Sequence, residues 1–165
     1  MTDWTTPKTW QPGEGLTPDA LNEQIRDNLL YLAERPRSIR VARLEEVSDY
    51  TTFSTSFIPL DDALFKLTIK PTGRNLRFLF SCMARQSSTG NIQINIFKDD
   101  TEYIEPSGIS FRHLNTNGWG VVAFSFLYEN TSSEEMTFSL HWRAGSSTVT
   151  IYAVEAYILF GVYEI

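Results

Sequence analysis

The stretch from Gly120 to Glu129, GVVAFSFLYE, decides the fold class of this 165-residue chain. Its bulky residues Val122, Phe124, Phe126 and Tyr128 stand at every second position. Successive side chains of a β-strand point to opposite faces, so this two-residue period predicts a strand with one buried face.

The same alternation continues on both sides of that stretch and is broken by turn clusters such as Pro71-Thr72-Gly73 and Ala144-Gly145-Ser146-Ser147. The candidate strands are 53–60, 64–70, 76–85, 91–98, 109–114, 120–129, 136–143 and 148–163, with a further plausible strand over 39–44. Short strands at this spacing predict a mainly β protein, an antiparallel, jelly-roll-like β-sandwich. The sequence shows no internal repeat, which argues against a propeller or a β-solenoid.

One α-helix is expected ahead of the strands. Thr17-Pro18-Asp19 combines a capping hydroxyl, a proline suited to the first helical position and an acid in the first turn. The apolar residues that follow on one side are Leu21, Ile25, Leu29 and Leu32. Pro36 ends the helix. We therefore expect an arm and anchoring helix over residues 1–35 and a β-sandwich over residues 36–165.

The arm and the helix are expected to dock onto a neighbour. Trp4 and Trp10 lie in an arm without periodicity, and each can bury a large apolar area. A helix of about sixteen residues is marginal alone in water, so its apolar side needs a partner. The predicted docking residues are Trp4, Trp10, Leu21, Ile25, Arg26 and Leu29. The alternative is that arm and helix fold back on their own domain.

The last predicted strand is apolar in both of its phases, with Glu155 as its clear polar exception. A strand that is apolar on both faces must be covered on both faces. One cover is the core, and the other is either a second subunit or the chain's own arm or helix. Trimeric jelly rolls of the tumour-necrosis-factor and C1q type bury aromatic-rich strands around a three-fold axis, an analogy of fold. The predicted subunit-interface residues are Tyr152, Val154, Tyr157, Leu159 and Tyr163.

A motif near the N-terminus carries a family resemblance. Its members in order are Thr9-Trp10, Gly13-Glu14, Leu16-Thr17, Ala20-Leu21-Asn22, Arg26-Asp27-Asn28-Leu29 and Leu32. This pattern, over roughly residues 8 to 33, resembles the N-terminal motif of structural proteins of tailed-bacteriophage virions, of the minor tail, fibre or head-decoration type. The resemblance implies an oligomer in the particle, made in the host cytoplasm, with an N-terminal anchor and a displayed C-terminal domain.

Composition excludes several function classes. A net charge of −6 argues against a nucleic-acid or anionic-membrane partner, because such surfaces attract clustered positive charge. No apolar run approaches the roughly twenty residues of a membrane-spanning helix, and residues 1–15 do not have the apolar core of a signal peptide. The single cysteine, Cys82, lies in an apolar run and is expected to be a buried, inert thiol.

No catalytic motif, metal site or cofactor site is evident, so we expect no enzyme and no cofactor. His113 and His141 have no ligand partners at a recognisable spacing and are expected to be surface or hydrogen-bonded structural residues. Phe111, Arg112 and Trp119 are candidates for stacking on a host-surface glycan. The favoured function is a trimeric capsid-decoration or head-fibre protein. The alternatives are a tail fibre or tip receptor-binding protein and a monomeric lectin-like carbohydrate-binding module.

Overall fold

The computed structural model describes residues 6, 9, 11, 13–15, 17–33, 37–43, 49–114, 118–154 and 157–165, with backbone alone for 31–33, 37–43 and 111–114. The chain divides into two compact units, Met1–Arg35 and Pro36–Ile165.

The first unit contains one helical segment with a wide turn in its middle. It runs as α-helix α1 (Pro18–Leu21), a π-helical stretch (Asn22–Asp27) and α-helix α2 (Asn28–Ala33). Thr17 caps it as predicted, since its hydroxyl accepts a hydrogen bond from the backbone N–H of Ala20 at 3.2 Å. The i→i+5 hydrogen bonds of a π-turn place more residues in each turn than the 3.6 of an α-helix. Residues four positions apart therefore lie closer to the same side of the helix here than they would in a regular α-helix.

The second unit is built from twelve described strands. They are β1 (Arg37–Arg43), β2 (Tyr50–Thr52), β3 (Ile58–Pro59), β4 (Lys66–Ile69), β5 (Leu76–Gln86), β6 (Gly90–Lys98), β7 (Glu102–Tyr103), β8 (Ser110–Leu114), β9 (Gly120–Tyr128), β10 (Met136–Ala144), β11 (Val149–Tyr152) and β12 (Tyr157–Glu164).

These strands form two antiparallel sheets. The first has the order β1-β12-β5-β11-β2, with β9 on the other edge of β5. The second has the order β3-β10-β6-β7, with β4 also paired to β10 and β8 to β6. The sheets pack face to face, so the predicted jelly-roll-like antiparallel β-sandwich is confirmed.

The core lies between the sheets and is aromatic. Strand β5 buries its even-numbered residues from Leu76 to Gln86, and β6 buries Ile92, Ile94 and Ile96. Phe78 and Phe138 meet across the core edge to face, with ring centroids 4.8 Å apart. In β9 the phase predicted to face inward is the phase that contacts this core: Val122 is buried, and Phe124, Phe126 and Tyr128 are partly buried against it.

Two predicted strands are wrong in their extent. The strand expected over residues 53–60 is replaced by the short strands β2 and β3, with a bend between them where Ser54 accepts and donates hydrogen bonds locally. The strand expected over 148–163 is interrupted. Strand β11 ends at Tyr152 and β12 begins at Tyr157, although both pair with β5.

Candidate assembly surface

The break between β11 and β12 changes which residues share a face. Tyr152 lies opposite Met83, whereas Leu159, seven residues later, lies opposite Ser81, only two residues back along β5. The surplus is an odd number of residues, so the side-chain phase flips between the two strands. Ile151 and Ile158, which a continuous strand would place on opposite faces, are both buried.

The flip brings predicted interface residues from both sequence phases to the outer face of the first sheet. Tyr152, Leu159 and Tyr163 pair with Met83, Ser81 and Arg77, which belong to the outward phase of β5. Tyr157 is 60% exposed, and Val154 is half-buried.

Strand β9 adds exposed apolar side chains to this outer face. The sequence analysis does not predict this contribution. Val121 is 53% exposed and Leu127 49% exposed; they pair with Met83 and Arg77 of β5. Their position in the outward phase of β9 was the available signal, since a solvated phase is usually polar.

Small residues occupy the middle of the outer face. Ser81 pairs with Ala123 of β9, and Leu79 lies between Ser125 of β9 and Gly161 of β12. Short side chains let another surface approach the sheet closely, while the larger residues around them supply apolar contact area. We call this outer surface of β12, β5 and β9 the apolar face, although β5 also contributes the exposed Arg77 and Arg85 near its two ends.

The predicted glycan-contact residues are divided between the two sheets. Phe111 and Arg112 belong to β8 of the second sheet, whereas Trp119 precedes β9 of the first. The Arg85 guanidinium lies over the Trp119 ring, 4.6 Å from its centroid, and the Tyr152 ring is 4.9 Å from it. Trp119 is therefore already engaged by an arginine and an aromatic ring at one end of the apolar face.

Around His141, the outer side of the second sheet is covered by its own chain. His141 is buried there, its Nδ1 atom lies 3.1 Å from the Tyr103 hydroxyl, and its ring packs against Phe97. Phe57 packs on Tyr103 and lies under the Arg143 guanidinium, 4.4 Å from the ring centroid. Burial lowers the pKa of His141 from its ordinary value, with Asp62 and Asp100 acting in the opposite direction. His141 is thus a hydrogen-bonded structural residue, one of the two predicted roles.

The exposed apolar side chains of the described residues consequently lie in few places. The large ones belong to the helical segment, to strands of the first sheet, or to residues next to the ends of those strands: Leu21, Ile25, Leu29, Leu30, Phe53, Met83, Trp119, Val121, Leu127, Tyr157 and Ile165.

The predicted docking residues of the helix are outward-facing. Ile25 and Leu29 are 54% and 61% exposed, whereas the polar Asn28 is buried and donates a hydrogen bond to the Gln24 carbonyl. Arg26 forms an ion pair with Asp27 at 2.9 Å. Trp4 and Trp10 lie outside the described residues.

The described part of the chain offers little reactive chemistry. It holds no group of three or more His, Cys, Asp or Glu side chains placed to bind a metal ion. Cys82 is buried as predicted, and burial raises the pKa of its thiol to about 12. None of the described helices combines the length and the apolarity needed to cross a membrane.

Comparisons with known proteins concern the fold alone. No protein-family model and no curated protein matches the sequence. The chain is similar to the globular domain of zebrafish complement 1qA protein, with 12% identity over 80% of this chain and 98% of that one and a TM-score of 0.48. It is also similar to murine APRIL (8% identity, 78% of this chain and 99% of that one, TM-score 0.44). A third likeness is to a chain of infectious bursal disease virus, Gx strain (13% identity, 80% and 37%, TM-score 0.38).

Proposed function

We propose that this protein is a non-enzymatic structural protein of a bacteriophage virion that works as a homotrimer and decorates the capsid or forms a head fibre. In this proposal the apolar face joins the subunits, and the N-terminal arm and helix dock onto another virion protein. The observation that carries the proposal is the concentration of large exposed apolar side chains on one outer sheet face, while the large apolar side chains on the opposite outer face pack against their own chain.

Two physical arguments support self-association through this face. A contiguous exposed apolar patch is costly in water and usually marks an interaction site. Closed cyclic symmetry is the common outcome when identical chains bury such a patch. The bacteriophage assignment rests on the N-terminal motif, whose helical part begins at Thr17 and leaves Ile25 and Leu29 outward-facing.

The oligomer is tested by the molar mass of the full chain in solution, measured by light scattering. We expect the natural sequence to have a mass that is a multiple of three chains, and Leu159→Lys, which places a charge within the apolar face, to lose this assembly in threes. The matched control is Thr68→Lys, a charge on an exposed threonine of β4 in the second sheet. A wild-type monomer at micromolar concentration, or equal masses for the two variants, would contradict the proposed interface.

Placement on the particle is tested by gold-labelled antibody on intact virions. Label spread over the head supports decoration, and label at the tail end supports the alternative of a tail fibre or tip protein. A monomer that binds glycans and loses that binding on Trp119→Ala would instead support the lectin-like module.

A further inference from the structure

Strand β9 is an open edge of the first sheet. Among the described residues it pairs with β5 alone, through nine consecutive residue pairs from Ala84–Gly120 to Leu76–Tyr128. One side of its backbone therefore carries amide N–H and C=O groups that no described strand satisfies. Such a row is a template for another extended chain.

The other edges of the sheets are guarded, and β9 is not. At the opposite edge of its own sheet, β1 has arginines at positions 37, 40 and 43, and β2 is only three residues long. The edge strands of the second sheet are also short, with five residues at most. Charged residues and short length are the usual means of preventing edge-to-edge pairing. Strand β9 has nine residues, GVVAFSFLY, with no charge and no proline.

The sequence of β9 is complementary to itself when two copies run antiparallel. Placing Phe124 at the centre of a two-fold axis sets Val121 opposite Leu127 of the partner subunit and Ala123 opposite Ser125 of the partner subunit. Both large exposed residues of the strand then meet each other, and the two small ones meet between them. Directly opposed side chains are the unit of sheet stabilisation, and no like charges are opposed here.

We propose that β9 pairs with β9 of a second copy of this chain, antiparallel and centred on Phe124, so that the two first sheets become one continuous sheet. The contact is isologous, the commonest type between identical subunits. It goes beyond the proposed trimer, because its hydrogen bonds come from the free backbone edge of β9, which packing of the apolar face leaves unused. It joins two trimers if those form and two single chains if they do not.

The register is tested by disulfide trapping in the full chain. In the proposed pairing, positions 123 and 125 lie opposite each other across the axis, at roughly the 4.5–5.5 Å between Cα atoms that a disulfide spans. Position 123 of one copy and position 123 of the other are separated by the longer diagonal. The double variant Ala123→Cys/Ser125→Cys is therefore expected to form disulfide-linked dimers under mild oxidation, whereas each single variant is not. The native Cys82 is buried, and the unmodified chain shows how much disulfide-linked dimer this cysteine forms by itself.

Two outcomes would overturn the pairing: no covalent dimer from the double variant, or equally abundant dimers from the single variants. A second measurement does not depend on thiols. Ala123→Lys places a guarding charge on this edge and should abolish the β9 contact, halving the largest mass seen by light scattering while circular dichroism stays unchanged. An unchanged mass would also sink the proposal. Leu159→Lys, on β12, tests the apolar face alone. Ala123 lies both on the edge strand and on the apolar face, so the size of the mass change identifies the contact that fails: loss of the β9 contact halves the mass, whereas loss of the trimer contact divides it by three.

Discussion

Glu164 and Thr72, which lie 92 positions apart in the sequence, are joined by two hydrogen bonds. Its Oε1 accepts hydrogen bonds from the backbone N–H of Thr72 at 2.6 Å and of Arg74 at 3.2 Å, and its Oε2 accepts one from the Thr72 hydroxyl at 2.7 Å. The carboxylate is buried. Its partners belong to the tight turn around Gly73, where φ is +90°. The last strand is thereby tied to the loop that leads into β5.

Replacing this carboxylate should weaken the domain. Glu164→Gln substitutes an amide N–H₂, which cannot accept, for one of the two acceptor oxygens. We expect the free energy of unfolding in urea to fall by about 1.5–3 kcal/mol, the usual worth of hydrogen bonds to a charged group. Glu134→Gln, at an exposed carboxylate, is the matched control and should change stability by less than about 0.5 kcal/mol. Equal effects of the two variants would contradict the role of Glu164.

The buried His141 should make stability depend on pH. Burial lowers its folded-state pKa below the ordinary value of 6.5, so the unfolded chain takes up a proton before the folded chain does. The free energy of unfolding should therefore fall as the pH drops below about 6.5 and level off once the folded-state pKa is passed. His141→Asn keeps a polar atom near Tyr103 without the titration. The free energy of unfolding in urea is measured for both chains from pH 7.5 to 5, and the difference between the two curves gives the contribution of His141. Parallel curves would show that His141 makes no contribution to the pH dependence.

The turn after β6 offers a paired test of backbone strain. Asp99 and Asp100 have positive φ values of 49° and 53°, a conformation that glycine adopts at lower cost. Asp100 makes a surface ion pair with Lys66 at 2.6 Å, whereas Asp99 accepts a hydrogen bond from the backbone N–H of Thr137 at 2.7 Å. Surface ion pairs contribute little.

We therefore expect Asp100→Gly to leave stability unchanged or raise it by up to about 1 kcal/mol. Asp99→Gly should lower it, because the charge-assisted bond that holds the turn to β10 is lost. Thermal unfolding of both variants checks this order, and the reverse order would show that strain, not the Thr137 contact, governs the turn.

Buried hydroxyls provide a fourth prediction. The Ser139 hydroxyl is buried without a hydrogen-bond partner among the described residues, whereas the buried Thr52 hydroxyl accepts a bond from the backbone N–H of Ser54 at 3.1 Å. Ser139→Ala should leave stability unchanged or raise it by up to about 1 kcal/mol, since burying an unpaired polar group is unfavourable. Thr52→Val should cost about 1–3 kcal/mol, because it orphans that N–H. Chemical denaturation of both variants measures the two changes in the free energy of unfolding. Equal losses of stability would show that the Ser139 hydroxyl has a hydrogen-bond partner in solution.

Local patterns predicted the elements that depend on local physics. The alternation around Phe124 predicted a strand and its inward phase, and the Thr17-Pro18 signature predicted the start of the helix. The π-helical turn over Asn22–Asp27 left no signal, because apolar spacings of four residues suit a regular α-helix as well.

The candidate site was predictable only in part. Tyr157 and Leu159 were expected at an interface because the last segment is apolar in both phases, and both lie on the outer face. Val121 and Leu127 are not predicted, although they stand in the outward phase of their strand. That they extend the outer face of β5 follows only from the pairing of β9 with β5. The predicted glycan-contact residues are near one another in sequence, yet Phe111 lies in the second sheet and Trp119 adjoins the first.

The sequence by itself determined that this chain contains an antiparallel β-sandwich preceded in sequence by a capped helix, because strand period, turn residues and caps act over a few neighbouring positions. Only the tertiary structure decided that Tyr152 and Leu159 share a face and that β9 is left with an open edge. Those facts depend on which strands pair and in what register, and pairing joins residues far apart in the chain, where a local pattern carries no information.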